Sequence, residues 1–315
     1  MPEENRLTSP SPGITAALRS RVLRGLGIDG TPPANLDGLR RVYNAWSRHV
    51  PFDNVRKLLA LRTGSPLPGR DAADFFEPWL GSGAGGTCWS GSNALHQLLC
   101  SLGFNARLAA GSMHDLEIRN HGTVIVTLDS AEYLTDSSLL TYEPLPLAAR
   151  LHTYRDGLNS VEVEPGSGSH VVWTRGPHQS YPIPCRVFHE PITRETALSN
   201  YENSRRRSPF NHSLYALRSL PGRMILLRGS TRFERTHAGV STRTLNPWEL
   251  REALHADIGI SWPLIDAWTE CGALAASLDP PDGPEPPHTH PPEARNVPPS
   301  LRPGFSLTSS GSLPR

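Results

Sequence analysis

Apolar residues recur at helical steps through the first hundred positions. Ile14, Ala17, Leu18, Val22, Leu23 and Leu26 share one face of a helix that Gly27 ends. After Thr31-Pro32-Pro33, a second helix from Asn35 carries Leu36, Leu39, Val42, Tyr43 and Trp46 on one side. It gives way at His49-Val50-Pro51-Phe52-Asp53-Asn54, because Pro51 disfavours helical backbone at Val50. Asp71 to Leu80 predicts a short third helix leading into the glycine turn Gly81–Gly86. A fourth begins at Cys88, with Trp89, Ala94, Leu95, Leu98, Leu99 and Leu102 as its stripe. Thr87 stands where its hydroxyl can cap that helix, and Gly103 stops it.

Past Gly103 the period shortens toward two. Asn105–Gly111 reads as a buried strand, and His121–Leu128 as a second with Val124, Val126 and Leu128 on one side. Asp129-Ser130 predicts a hairpin turn, with Glu132–Asp136 as the returning strand. Such a turn pairs residues whose numbers sum to about 257, which sets His121 opposite Asp136. Several short strands follow between Val161 and Phe188, then a loop over Ala197–Phe210. Leu214–Leu220 and Met224–Leu227 predict a strand pair around Pro221-Gly222. Asn246 caps a helix that begins at Pro247, with Leu250, Leu254 and Ile258 inward. Helices, then strands, then a mixture describe an α+β chain. Residues 1–13 read as a flexible arm, and 278–315, dense in Pro, Gly and Ser, as a disordered tail.

Composition narrows the function classes. The 315 residues suffice for two or three small domains, and a net charge of +1 implies neither nucleic acid nor an anionic membrane as partner. Lys57 is the only lysine. The four cysteines, Cys88, Cys100, Cys185 and Cys271, lack Cys-x-x-Cys or zinc spacing, so no metal is expected. The start of the chain lacks the apolar core of a signal peptide, and no stretch approaches the roughly 18 apolar residues of a membrane span. The expectation is a soluble cytoplasmic protein with reduced thiols.

The chemistry centres on Cys88. At a helix start, free amides and the helix dipole favour a thiolate over a thiol. A nucleophilic cysteine needs a proton partner, and that partner needs an orienting group. His121 and Asp136, brought together by the hairpin, are the candidates. Each residue also has a plainer reading, as a packed thiol, a surface imidazole and a turn-forming carboxylate; the combination is what points to catalysis. His114-Asp115 with His121 lacks the fixed geometry of a metal site, and His288-Thr289-His290 falls in the tail. Arg205-Arg206-Arg207 reads either as a solvated face or as a phosphate clamp, since guanidinium forks match phosphate oxygens.

From about Arg21 to Ile260 the sequence resembles the arylamine N-acetyltransferase family. His49-Val50-Pro51-Phe52-Asp53-Asn54 is similar to the family's His…Ile/Val-Pro-Phe-Glu-Asn segment, and Gly85-Gly86-Thr87-Cys88 to its Arg-Gly-Gly-x-Cys signature. The 15-residue separation of His121 and Asp136 is the family's usual one. Asn200-Tyr201 through Ser208-Pro209-Phe210, with Pro221-Gly222-Arg223, resembles its entry to the third domain. The chain departs at Ala84, where the family has Arg, at Ser90, where it has an acidic or amide residue, and at Ser92, where a later Asn would fall.

The resemblance implies a helical N-terminal domain (14–103), a central β-barrel-like domain (104–200) and a C-terminal α/β lid domain (201–277), built on a cysteine-proteinase-like core. It implies a ping-pong reaction in which acetyl-CoA acylates Cys88 and a small aromatic amine or hydrazine takes the acyl group. His121 would be the proton partner, Asp136 the orienting carboxylate, and Arg205, Arg206 and Arg207 candidates for the coenzyme. An offshoot of the family would instead be an amide synthase that closes a macrolactam from a carrier thioester. Trp89 after the cysteine is also similar to transglutaminase-like enzymes. The altered signature leaves room for an inactive member.

Overall fold

The computed structural model describes residues 13–278, so all of the expected arm but Gly13 and all of the expected tail but Leu278, which ends a helix, lie outside the described residues. α1 (Ala16–Gly25) and α2 (Leu36–His49) follow the predicted stripes, and the side chains of Thr15 and Asn35 cap them by accepting from the Leu18 and Gly38 amides. A two-residue strand, β1 (Phe52–Asp53), follows Pro51. Next comes α3 (Val55–Thr63), a helix the sequence pattern does not reveal, because a lysine interrupts its buried face of Val55, Lys57, Leu58 and Ala60. α4 (Ala72–Ser82) starts at an Asp71 cap.

α5 (Cys88–Ser101) buries ten residues, Cys88 through Leu95 with Leu98 and Leu99. Thr87 occupies its N-cap position but makes no side-chain cap bond; its carbonyl accepts instead from the Ser90 hydroxyl at 3.1 Å. α5 packs on an antiparallel sheet of eight strands: β2 (Asn105–Met113), β3 (His121–Leu128), β4 (Ala131–Leu134), β5 (Leu145–Pro146), β6 (His152–Arg155), β7 (Ser160–Gly166), β8 (Ser169–Thr174) and β9 (Ile183–Pro191). Their order is β5-β4-β3-β2-β9-β8-β7-β6, and the edges β5 and β6 approach each other, so the sheet nearly closes into a barrel. Alternation sorts the side chains: Leu108, Ala110, Val124 and Val126 meet the helices, while Ala109, Ile125, Val163, Val172, Cys185 and Val187 fill the barrel.

The hairpin turn falls at Asp129-Ser130, both with positive φ as a mirror-image two-residue turn requires. Its register corrects the sequence reading. Val126 pairs with Tyr133 and Leu128 with Ala131, a shift of two from the expected pairing, so His121 and Asp136 are not opposite each other on the ladder.

The predicted loop over Ala197–Phe210 is also corrected: α6 spans Arg194–Arg207. Only Ala197 and Tyr201 of its residues are buried, so it lacks the stripe that betrays a helix. Thr193 caps it, Glu195 lies in its first turn and Arg205, Arg206 and Arg207 in its last, which suits the helix dipole at both ends. The boundary expected between residues 200 and 201 falls inside this helix.

The remaining strands, β10 (Tyr215–Leu220), β11 (Arg223–Arg228), β12 (Thr231–Thr236) and β13 (Gly239–Thr244), form a second antiparallel sheet whose far edge is β1. α7 (Pro247–Ala253) starts at a capping box between Asn246 and Glu249, and leads through a π-turn at Leu254–Ile258 to α8 (Trp262–Glu270) and α9 (Ala273–Leu278). Leu250, Leu254, Ile258, Ile265 and Trp268 pack on Leu214, Ala216, Ile225 and Leu227. No helix among the described residues is long and apolar enough to cross a membrane.

Candidate active site

The cysteine is placed by its turn. A Cβ on Gly85 would stand 1.9 Å from the Pro51 carbonyl oxygen, and one on Gly86 2.4 Å from the Ser90 hydroxyl, so both positions need glycine. Phe52 bridges to Gly86, and the Asp53 amide donates to the Gly86 carbonyl at 3.2 Å. The buried Asp53 carboxylate accepts from the Gly85 amide at 2.7 Å and the Val55 amide at 3.0 Å. Burial pushes its pKa up to about 6, against the pull of those amides and of Arg56. Phe52, Phe210 and Tyr215 form an edge-to-face cluster beside this turn, with centroids 5.1–5.8 Å apart.

His121 lies buried at the head of β3, and its Nε2 is 2.6 Å from Oδ2 of Asp136. The contact forms although the ladder does not pair the two. The Thr135 amide makes the last β3 bond, to Val124, and the chain then turns so that Oδ1 of Asp136 accepts from the Ser138 amide at 2.8 Å and hydroxyl at 2.6 Å. The Tyr43 hydroxyl on α2 fixes the same bend by donating to the Asp136 carbonyl at 2.7 Å. Asp136 holds Nε2, which leaves Nδ1 as the ring nitrogen free to serve the Cys88 sulfur, and the ring is near enough to that sulfur to pull its pKa down. The Ser92 hydroxyl ties α5 to β3 by donating to the Gly122 carbonyl at 2.8 Å. Gly111 faces His121 across β2 and β3; a Cβ there would lie 2.9 Å from the Cys185 sulfur, which walls the barrel side of the ring.

The charges are mutually supporting. Burial alone would raise the Cys88 pKa, but the His121 charge and hydrogen bond and the Gly122 amide hold it below its usual value. Burial would lower the His121 pKa, yet the Asp136 carboxylate, by charge and hydrogen bond, and the charge on the Cys88 sulfur drive it well above the usual imidazole value. Asp136 resists its own burial because His121 and Ser138 pull its pKa down. The state these shifts favour is thiolate, imidazolium and carboxylate.

A cleft of about 580 Å³ lies on the outer face of α2, lined by Arg40, Arg41, Arg48, Tyr142 and Arg155 among others, and shares no residue with this cluster. The chemistry is located by the coupled charges rather than by that cleft. Asp115, considered above beside His114, makes two bonds to the Arg186 guanidinium at 2.7 and 2.6 Å.

The N-acetyltransferase family model matches residues 35–265, and so takes in the glycine turn, the hairpin and the second sheet. The chain belongs to the arylamine N-acetyltransferase family. Proansamycin X synthase of Amycolatopsis mediterranei (strain S699) is 28% identical over 156 residues, 46% of this chain and 58% of that protein. An arylamine N-acetyltransferase of Mycolicibacterium smegmatis is 28% identical over 123 residues, 36% of this chain and 43% of that one. The chain thus spans about half the length of these curated relatives. The structure of Mycobacterium marinum arylamine N-acetyltransferase in complex with CoA superimposes with a TM-score of 0.71 at 18% identity, covering 82% of this chain and 98% of that one.

In this member of the family the departures from the signature are built into the packing. Ala84 is fully buried in the apolar cluster of the second sheet. Ser90 lies against Gly69 and Gly86, where an added Cβ would stand 2.6 and 2.4 Å from its side chain. The family's Arg and its acidic or amide residue are both replaced, so neither leaves a buried charge stranded, and Asp53 ties the turn down through the Gly85 and Val55 amides. Of the arginine run, Arg205 is bonded to Glu202 and to the Ser65 carbonyl, while Arg206 and Arg207 are exposed at the end of α6. Sequence reasoning missed the work of Asp53, Tyr43 and Ser92. Asp53 lay inside a recognised motif, but Tyr43 and Ser92 act across the fold and left no signal.

Proposed function

We propose that the protein transfers an acetyl group from acetyl-CoA through a Cys88 thioester to the nitrogen of an arylamine or hydrazine. The carrying observation is the His121 ring held between Asp136 and the Cys88 sulfur, with shifts that favour the ion pair. The Cys88 thiolate attacks the thioester carbonyl, a carbon–sulfur bond forms to Cys88, and the bond to the coenzyme sulfur breaks. The departing thiolate takes the proton of the His121 imidazolium. An amine then attacks the acyl-cysteine, gives a proton to His121 and leaves as the amide, which restores the starting ion pair. Exchange between two thioesters is close to isoenergetic, so the first half-reaction needs positioning more than driving force. The relative crystallised with CoA supports the choice of donor. Arg206 and Arg207, exposed at the end of α6, are the cations offered to its phosphates, and Arg205 supports that helix end.

A second reading, an amide synthase fed by a carrier thioester, draws support from the similarity to proansamycin X synthase. Steady-state kinetics with acetyl-CoA and a simple arylamine separate the two. The N-acetyltransferase reading predicts parallel double-reciprocal lines and one free coenzyme thiol per amide formed. Converging lines, or thiol release without amide, would overturn it. If acetyl-CoA is inert while a longer N-acetylcysteamine thioester acylates Cys88, the second reading takes its place.

A further inference from the structure

The sulfur, the imidazole and the carboxylate come from three segments, and each must be fixed against the other two. His121 and Asp136 are joined directly, at 2.6 Å, so what remains is how α5 is set against that pair. Among the described residues, and apart from the contacts of the sulfur itself, the hydrogen bonds from α5 to β3 and to the bend after β4 run through two hydroxyls. Ser92, one helical turn past Cys88, donates to the carbonyl of Gly122, the neighbour of His121, at 2.8 Å. Its Oγ lies 3.0 Å from that of Ser137, the neighbour of Asp136. Both serines are buried, with 1% and 4% of their surface exposed.

Proton counting gives the bonds their direction. A serine hydroxyl has one proton, and Ser92 spends its own on the Gly122 carbonyl, which can only accept. The Ser137 proton therefore goes to Ser92 Oγ, which is nearer than the Cys88 carbonyl at 3.5 Å. The relay from Ser137 through Ser92 to Gly122 runs from the carboxylate segment, across α5, to the imidazole strand. The backbone around it has no slack. A Cβ on Gly91 would stand 2.8 Å from the Ser137 hydroxyl, and one on Gly122 2.5 Å from the Trp89 ring. Ser92 is also one of this chain's departures from the family signature.

We propose that Ser92 and Ser137 form a positioning pair that sets the Cys88 sulfur against the His121–Asp136 unit. This rests on the proposed function, with Cys88 as the nucleophile. Neither hydroxyl touches a reacting atom; both act through the segments they join. Where a nucleophile and its proton partner must meet at hydrogen-bonding distance, a displacement of about 1 Å costs about a hundredfold in rate. Donor affinity does not depend on that distance, so the loss falls on the maximal rate. Removing Ser92 breaks both links of the relay, and removing Ser137 breaks one. The two losses therefore overlap rather than multiply.

The test is single-turnover acylation of Cys88 over a range of acetyl-CoA concentrations, in the wild type, Ser92→Ala, Ser137→Ala and the double variant, with melting temperatures alongside. Ser92→Ala is expected to lower the maximal rate about a hundredfold and Ser137→Ala about tenfold, each with a half-saturating concentration within about twofold of the wild type. The double variant should match Ser92→Ala. Variants that melt lower yet keep the wild-type maximal rate would overturn the proposal, since the hydroxyls would then only hold the fold together. A loss confined to the half-saturating concentration, or single losses that multiply in the double variant, would overturn it too. If Ser92→Ala does not fold, Ser137→Ala decides alone, because it leaves the Gly122 carbonyl paired: a tenfold slower maximal rate supports the pair and an unchanged one overturns it. A wild-type protein that is not acylated at all would defeat the proposed function, and this proposal with it.

Discussion

Asp136 gathers three donors within its two oxygens: the His121 ring, the Ser138 amide and the Ser138 hydroxyl. The negative charge matters more than the shape. Asp136→Asn keeps the size of the group but loses the anion that favours imidazolium over imidazole, and with it the tautomer that presents Nδ1 to the sulfur. Single-turnover acylation by acetyl-CoA should fall by about 10³–10⁴. The alkylation midpoint of Cys88 should rise toward that of an ordinary thiol, because a neutral imidazole no longer stabilises the thiolate. An unchanged rate would mean that Asp136 is only structural. The three residues were legible in the sequence because the cysteine follows Gly-Gly and the other two flank a recognisable turn. Lys57 was legible only as a compositional oddity; its hydrogen-bond partner, Ser204, comes from α6, and no local pattern joins the two.

At the scale of elements, periodicity revealed those with one apolar face and missed those without. α2 and α5 announce themselves; α6, with two buried residues, and α3, with a lysine in its buried face, do not. The hairpin shows a subtler limit. Its turn was placed correctly and its register was off by two, yet His121 and Asp136 still meet because the chain leaves the ladder after Thr135. The short β1 is the element on which the site most depends, since it joins the second sheet and holds the glycine turn through Asp53. Asp53→Ala would leave the Gly85 and Val55 amides unpaired, at a cost of about 1–3 kcal/mol for each. Urea denaturation should record that loss; a variant as stable as the wild type would show that other groups satisfy both amides.

At the scale of the whole molecule, the site is where the helices, the near-closed barrel and the second sheet converge. α5 supplies the sulfur, β3 and the bend after β4 the imidazole and carboxylate, and β1 the strap. Each contributor packs in an apolar cluster, so the groups are held by cores rather than by loops alone. The α+β class was readable from the order of patterns along the chain. The closing of the barrel and the recruitment of β1 to the second sheet were not, because both join distant segments. What the account claims above all is that one sulfur carries the acyl group between donor and acceptor. Intact-mass analysis after mixing with acetyl-CoA, followed by peptide mapping, reads this directly. The account predicts one acetyl group on Cys88, removed by neutral hydroxylamine and absent in Cys88→Ser. An acetyl group that persists in that variant, or no acetylation of the wild-type protein, would contradict it.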